Sequence, residues 1–455
     1  MGGLNTSLLI GLQALQATQG AIGATSNNIA NANTAGYTRE VPQFSENAEA
    51  LSGGAVHGGG VSLDDLQSVR DELLNLQIQQ QTSKQSSADT QYAALQQLQT
   101  YFSDTGEDIA SALTAFSKSL NQLSANPTSG AVRQQVLSSG QNLALAFNST
   151  ADGLTSAQSS ADSEVQQTVA QINTLSQQIA QLNSQLWQLS ASGQSGGTVQ
   201  DQRDQLVQQI AKLTGTSVSQ GADGETIATA NGSPLVVGLQ SFSLQTVTAS
   251  DGTQHVLDVS GNDITSSIEG GQLGGAIQLR DETIPGFHSL LNSLAGQFAA
   301  AFNVAQAQGF DSNGNPGSDF FSIPGGDVGA ATGITVAIAN PSLIAGSSDG
   351  SVGGNGNVAN LSAALTNALP SGKSVSDGYA SLVYLVGTAT SNANAQSTAI
   401  GQHLTQLTNQ QGSVSGVNID EETTNLIRFQ MAYEAAARVV STIQQLNSVT
   451  MNMIS

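Results

Sequence analysis

The chain contains no cysteine. Neither disulfides nor thiolate metal sites can staple its fold, which is compatible with an export route in which stray thiols are a liability. Basic residues are also scarce: 11 Lys plus Arg stand against 33 Asp plus Glu, a formal net charge of −22. Phosphate neutralisation needs clustered Lys and Arg, so a nucleic-acid binder is excluded, and an acidic membrane would repel the chain. Only 10% of residues are charged. The remaining Ser, Thr, Asn and Gln give a hydrated surface that suits close packing against like subunits. Aromatics amount to 4%, from which aliphatic, small-residue packing of the helical-bundle type is expected. No stretch reaches the roughly 18 apolar residues of a membrane-spanning helix, so membrane insertion is not expected. Met1-Gly2-Gly3-Leu4-Asn5 opens without the basic region, apolar core and cleavage site of a signal peptide. Export, if it occurs, is expected to proceed without a cleaved signal.

At 455 residues the chain is long enough for two to four folding units. Leu8, Leu15, Ile22 and Ile29 repeat at seven-residue spacing, widened by Leu4 and Leu12, with no charge before Arg39. An opposite face without charge implies contact on more than one side. The segment ends in Asn- and Gly-rich sequence from Asn27 to Arg39, and residues 45–62 read as a glycine-rich loop. Helix is expected again from Leu66, Val69, Leu73 and Leu76 to about residue 123, and once more after Asn126-Pro127. Val165, Ile172, Ile179 and Leu186, with Leu175, Leu182 and Leu189 three residues on, form the clearest heptad pattern. Asp201-Gln202-Arg203-Asp204 opens a shorter helix. From 215 to 280, short Val, Thr, Ile and Leu runs between Gly, Asp and Asn read as a small β-rich region. Helix resumes through Ile284 to Phe302, residues 322–358 read as loop with one strand candidate at Ile334 to Ile338, and helix returns from about 376. The last helix carries a stripe of Leu426, Phe429, Tyr433, Ala436, Val440, Ile443 and Ile454. The fold expected is mainly α: an elongated bundle of long helices from both termini, paired as in a coiled coil, with the β-rich region in the middle.

Catalytic patterns fare poorly. His57, His255, His288 and His403 are each alone in sequence, and solvated or structural roles are the simpler reading. Gly346-Ser347-Ser348-Asp349-Gly350 matches a nucleophile-elbow pattern but lies in a Gly/Ser/Asn loop, without the strand and helix that the elbow demands. Asp311-Ser312-Asn313-Gly314-Asn315 starts like a calcium loop, yet its sixth position is Pro316 and its twelfth is Ser322, so a plain Asn-Gly turn is preferred. Asp420-Glu421-Glu422 fits favourable charge placement in a first helical turn. Asp201 and Asp204 have the same reading, with Arg203 as the expected ion-pair partner. No enzyme, cofactor or metal site is expected.

Asn27-Asn28-Ile29-Ala30-Asn31 through Gly36-Tyr37-Thr38-Arg39 resembles the amino-terminal signature of bacterial flagellar axial proteins: rod, hook and hook-associated. Asp201-Gln202-Arg203-Asp204-Gln205-Leu206-Val207 follows, then Gly271-Gln272-Leu273-Gly274-Gly275, Gly309-Phe310-Asp311 and Asp319-Phe320-Phe321, and finally Ser415-Gly416-Val417-Asn418-Ile419-Asp420-Glu421-Glu422. In that order they resemble the family of flagellar hook-associated protein 1, the first hook–filament junction protein, over nearly the whole chain. The resemblance implies a structural adaptor that self-assembles through its terminal helices and contacts the hook protein and the second junction protein, hook-associated protein 3. It also implies type III export, with a dedicated chaperone on the carboxyl-terminal helix that includes Leu426, Val440 and Ile443. The expected location is the extracellular flagellum.

The expected division pairs 1–62 with 405–455 as a terminal helical domain, disordered in the monomer, and 63–214 with 281–404 as a rod-like domain. Between them 215–280 is the β-rich subdomain, and the large outer insertion that many family members carry after about 321 is reduced or absent. Another axial subunit (hook, rod or filament protein) is the alternative, although the Asp201 and Gly416 motifs argue against it. A secreted enzyme or adhesin would need a convergent polar cleft, of which the sequence gives no sign.

Overall fold

The computed structural model describes residues 2–48, 50–52, 55–102, 108–221, 224–229 and 231–454. The chain opens with α1 (Gly2–Asn31), followed by β1 (Glu40–Glu46), a short hairpin of β2 (Ala50–Ser52) and β3 (Ala55–His57), and β4 (Val61–Ser68), which returns antiparallel to β1. The helix expected from Leu66 and Val69 is thus replaced at its start by strand, and the expected loop over 45–62 holds the β2–β3 hairpin and the facing ends of β1 and β4. Leu63 of β4 lies against Gly20, so one face of the ribbon rests on α1.

Helix proper starts at α2 (Glu72–Gln99), whose N-cap Asp71 accepts a hydrogen bond from the Leu74 N–H at 3.0 Å. Next come α3 (Ile109–Ala125) and α4 (Gly130–Ala191), capped by Asp108 and Ser129. The two helical stretches expected after Pro127 are one helix of 62 residues, roughly 93 Å long. It forms the spine on which the middle of the molecule is built.

Along its first half, α4 packs with α3 and with α7 (Ile284–Ala307), α9 (Val358–Thr366) and the start of α10 (Val375–Ser415) around one large core. At its centre Phe116, Phe147, Phe298, Phe302, Phe320 and Phe321 touch ring to ring, with centroids 4.8 to 6.2 Å apart. The aliphatic core expected from the low aromatic content is therefore corrected here. Half of the chain's 12 phenylalanines have been concentrated at one place.

Along its second half, Val165, Ile172 and Ile179 are fully covered by α5 (Gly197–Leu213), α6 (Gly271–Gln278) and a sheet. That sheet has the order β5-β6-β7-β8, from β5 (Thr216–Gly221), β6 (Gly224–Thr229), β7 (Pro234–Val237) and β8 (Gln240–Ser241). A hairpin of β9 (Gln245–Thr248) and β10 (Gln254–Leu257) completes the strand region. The glycine-rich 271–278 segment, read as the end of the β region, is helical. It is joined to α7 by a π-turn at Leu279–Thr283, where buried Arg280 ties Asp162 of α4 (2.7 Å) to Asp281 (2.6 Å).

Residues 321–357 hold β11 (Phe321–Ser322), the one-turn helix α8 (Ala330–Gly333) and β12 (Thr335–Val336), the last falling within the expected strand at Ile334 to Ile338. α10 then runs antiparallel to α2, and three residues separate it from α11 (Ile419–Ile454). α11 returns along α1, so both ends pair as the heptad patterns imply.

Candidate assembly interface

α1 and α11 are antiparallel: Asn28 meets Glu422 at one end, and the Cα of Gly11 faces Val440 farther along. A Cβ at Gly11 would lie 2.7 Å from Val440 Cγ2. The fully covered face of α1 consists of Gly11, Ala17, Ala21, Ala24, Thr25 and Asn28. Small residues let the two backbones approach closely. The heptad residues Leu8, Leu15, Ile22 and Ile29 sit half-buried at the margins of that seam. On α11, Phe429, Val440 and Ile443 are buried, Leu426 is half-buried, and Tyr433 lies on the exposed face. The β1–β4 ribbon closes one side, with Leu63 over Gly20 and Phe44 at 6.1 Å from the Phe429 ring.

Outside this seam large apolar residues of the helix pair meet solvent among Ser, Thr, Asn and Gln and, on α11, a few charges. Leu9 is 59% exposed and Met431 64%, and Leu12, Ile427, Val439, Leu446, Val449, Met451 and Met453 are exposed with them.

Three of the family-type motifs, those around Asn28, Asp201 and Gly416, converge where the helix pair meets α2 and α5. Asn28 uses its whole amide there. Its Nδ2 donates to the Glu40 carbonyl (2.8 Å) and the Glu422 carboxylate (3.0 Å), and its Oδ1 accepts from the Tyr37 hydroxyl (2.8 Å) and the Glu40 N–H (3.0 Å). Gly36 turns the chain into this position with φ +77°. A Cβ there would also lie 2.4 Å from the Gln205 amide nitrogen, which donates to the Ala35 carbonyl at 2.9 Å.

Asp201 accepts the Thr38 N–H at 3.0 Å and pairs with Arg70 at 2.5 Å. Arg70 also grips Asp204, which Arg203 holds at 3.0 Å. The Arg39 N–H donates to the Ser415 carbonyl at 3.0 Å, and its guanidinium pairs with Glu421 at 2.9 Å. Asn418 caps α11, accepting from the Asp420 N–H at 3.0 Å, so Asp420 sits at a helix start. Gly416 is packed so that a Cβ would lie 2.2 Å from the Gly412 carbonyl. Asn27 and Asn31 bond each other at 2.9 Å on the exposed side.

This joint is crowded with carboxylates. Burial, then the charges of Glu40, Asp201 and Glu422, push the Tyr37 phenol well up, so it stays a neutral donor. Burial and Asp201 raise the Glu40 carboxyl, and burial raises Asp204 against the pull of Arg203 and Arg70. The sequence reading found Asp201, Arg203 and Asp204 but missed Arg70 and Glu40. The scarcity of cations was the available signal, since Arg39, Arg70 and Arg203 are three of only 11 Lys plus Arg.

The chemistry-like motifs lie elsewhere. Ser347 Oγ donates to Asp349 at 3.0 Å within a loop, and Asp311 accepts the Asn313 and Asn315 N–H groups at 2.7 and 2.9 Å as an Asx turn does. Among the described residues no group of three or more His, Cys, Asp and Glu could hold a metal ion, and no helix is long and apolar enough to cross a membrane.

Comparison with known proteins agrees with this arrangement. The model of the helical domain of flagellar hook-associated protein FlgK matches residues 95–321, that of the FlgEFG basal body rod protein carboxyl terminus matches 410–453, and that of the flagella basal body rod protein matches 8–38. Flagellar hook-associated protein 1 of Bacillus subtilis is 32% identical over 98% of both chains. The Salmonella typhimurium protein of that name is 28% identical over 97% of this chain and 98% of its own. The flagellar hook junction protein FlgK of Burkholderia pseudomallei shares the fold, with a TM-score of 0.69 at 20% identity over 75% of this chain and 100% of that one. With its two ends paired, three of its motifs gathered at one joint and a relative matched end to end, the chain belongs to the flagellar hook-associated protein 1 family, structural components of the bacterial flagellum.

Proposed function

We propose that this chain is a non-enzymatic adaptor that joins hook to filament by packing copies of itself through the outer faces of α1 and α11. The observation that carries this reading is the division of labour on the helix pair. In the seam small residues of α1 receive Phe429, Val440 and Ile443 of α11, while large apolar residues such as Leu9, Met431, Leu446 and Val449 remain uncovered. A net charge of −22 per copy disfavours approach through charged faces; the outer face of α1 carries no charged side chain, and on α11 Arg428 and Arg438 stand on either side of Glu434.

The same surface supports contacts with the hook protein on one side and the second junction protein, hook-associated protein 3, on the other. The terminal domain of 1–62 with 405–455 orders fully when neighbours cover it, which couples folding to assembly. Before that, an export chaperone holds the carboxyl-terminal helix. Val440 and Ile443 are buried against α1, so a chaperone that binds them, with Leu426, takes the place of α1. Export through the flagellar type III route, with no cleaved signal, delivers the chain to the extracellular flagellum. Residues 63–214 with 281–404 serve as the rod-like domain and 215–280 as its β-rich subdomain. The alignment with the Salmonella protein extends over 545 positions against 455 residues here, which supports a reduced outer insertion.

Deleting the gene tests the proposal. Cells that keep hooks but shed unpolymerised flagellin support it, and cells with normal filaments refute it.

A further inference from the structure

One motif of the sequence takes no part in the joint or the helix pair: the Asp311-Ser312-Asn313-Gly314-Asn315 turn between α7 and β11. Its base is fixed. The Asp311 N–H donates to the Asn315 carbonyl at 2.8 Å, Phe310 and Ser347 exchange backbone hydrogen bonds at 2.8 and 3.2 Å, and the Gly317 N–H reaches the Gly309 carbonyl at 2.9 Å. Its tip is open. Ser312, Asn313 and Gly314 are exposed, and a Cβ on Gly314, whose φ is +81°, would meet nothing closer than the Gly350 carbonyl at 3.9 Å. The Asn313 side chain has one hydrogen bond among the described residues, from Nδ2 to Asp311 Oδ2 at 3.5 Å, the outer limit of such a bond. The Gly314 N–H meets the Asp311 carbonyl at 3.2 Å, again a long bond.

Asparagine precedes glycine at two other places, and there the fold restrains it. The Asn355 amide donates to the Ser124 carbonyl at 2.8 Å while the Asn355 carbonyl accepts from the Val358 N–H at 3.0 Å, and a Cβ on Gly356 would lie 2.3 Å from Ser348 Oγ. Asn231 donates to Ser267 Oγ and accepts from Thr229 Oγ1, and the Gly232 N–H donates to the Thr229 carbonyl at 2.9 Å. We propose that Asn313 is a site of spontaneous deamidation, in which the Gly314 nitrogen attacks the side-chain carbonyl carbon of Asn313. The new N–C bond closes a succinimide ring, and the side-chain nitrogen leaves as ammonia with the proton that the glycine nitrogen gives up. Water then opens either ring carbonyl to leave aspartate or isoaspartate. The reacting groups belong to adjacent residues, so the attack is unimolecular, and glycine lacks the Cβ that would crowd its nitrogen. Because the base of the turn holds on both sides, ring closure disturbs only the tip. The product sets a second negative charge beside Asp311, whose carboxyl is pushed up by burial but held below its ordinary value by the Asn315 and Asn313 N–H groups. This inference stands apart from the junction reading above.

The test follows the full chain, kept folded in mildly alkaline buffer over weeks, by peptide mass spectrometry, with isoaspartate labelled by an isoaspartyl methyltransferase. Asn313 is expected to convert roughly tenfold or more ahead of Asn231 and Asn355, since each of those side chains must first give up a hydrogen bond. In the urea-unfolded chain, where these restraints are gone, all three are expected to convert at similar rates. Asn313→Gln is expected to remove the isoaspartate label from the peptide spanning 309–317, because the longer side chain closes its ring far more slowly. Asn313 converting no faster than Asn355 in the folded chain, or the same lead persisting in the unfolded chain, would overturn the inference. Neither result bears on the junction role.

Discussion

Asn28 and Glu422 stand 394 positions apart in sequence and meet at 3.0 Å, the asparagine amide donating to the glutamate carboxylate. Through this bond the first helix, the ribbon that follows it and the last helix are fixed to one another. Because Asn28 is fully buried and makes four hydrogen bonds, no water stands ready to replace it.

Asn28→Ala is therefore expected to orphan the Tyr37 hydroxyl and the Glu40 N–H and to destabilise the joint by about 1–3 kcal/mol. Chemical denaturation, with the slope held constant, measures this. Asn28→Asp should be worse at neutral pH than at acid pH, because the new carboxylate faces Glu422.

Arg70→Ala is expected to leave Asp201 and Asp204 close together without their shared cation. Removing one partner of a buried ion pair costs about 3–5 kcal/mol. Adding Asp204→Asn should recover part of that loss, and a double-mutant cycle on unfolding free energy reads the coupling.

The joint also fixes a pH dependence. Glu40 and Asp204 are raised in the folded chain, which therefore binds their protons more tightly than the unfolded chain does. Their contribution to stability is present below the ordinary carboxylate range and is lost as pH rises through the folded values. Glu40→Gln is expected to match the natural chain at about pH 4 and to exceed it at about pH 7, compared by urea midpoints at each pH. Equal midpoints for both chains at neutral pH would contradict the assigned cause.

Gly11→Leu is expected to push α1 off α11, since even a Cβ there would lie 2.7 Å from Val440 Cγ2. Pairing it with Val440→Ala should restore part of the helix content read by circular dichroism in assembled copies, whereas Gly3→Ala, which meets nothing within 4 Å, should leave it unchanged.

The pairing of the two ends was legible because heptad spacing survives in a single sequence. Which face would be buried was less so. Periodicity draws attention to Leu8, Leu15, Ile22 and Ile29, but close backbone approach selected Gly11, Ala17, Ala21 and Ala24 for the seam. Asp201 and Asp204 could be read as helix-start charges, with neighbouring Arg203 as partner. Arg70, 131 positions from Asp201, could not be reached by any local rule. The β1–β4 ribbon was hidden because the glycine-rich stretch 45–62 read as loop, while packing on α1 supplies the order. The phenylalanine cluster was missed for a related reason: low average content says nothing about where six rings gather.

The central claim is that the outer faces of α1 and α11 are interfaces completed by neighbours. Hydrogen exchange of these two helices, in the dilute full chain and in the chain incorporated into flagella, tests it most directly. Fast exchange across Gly2–Asn31 and Ile419–Ile454 in the dilute chain, with strong protection after incorporation, is the expected result. Equal protection of both helices in the two states would contradict it.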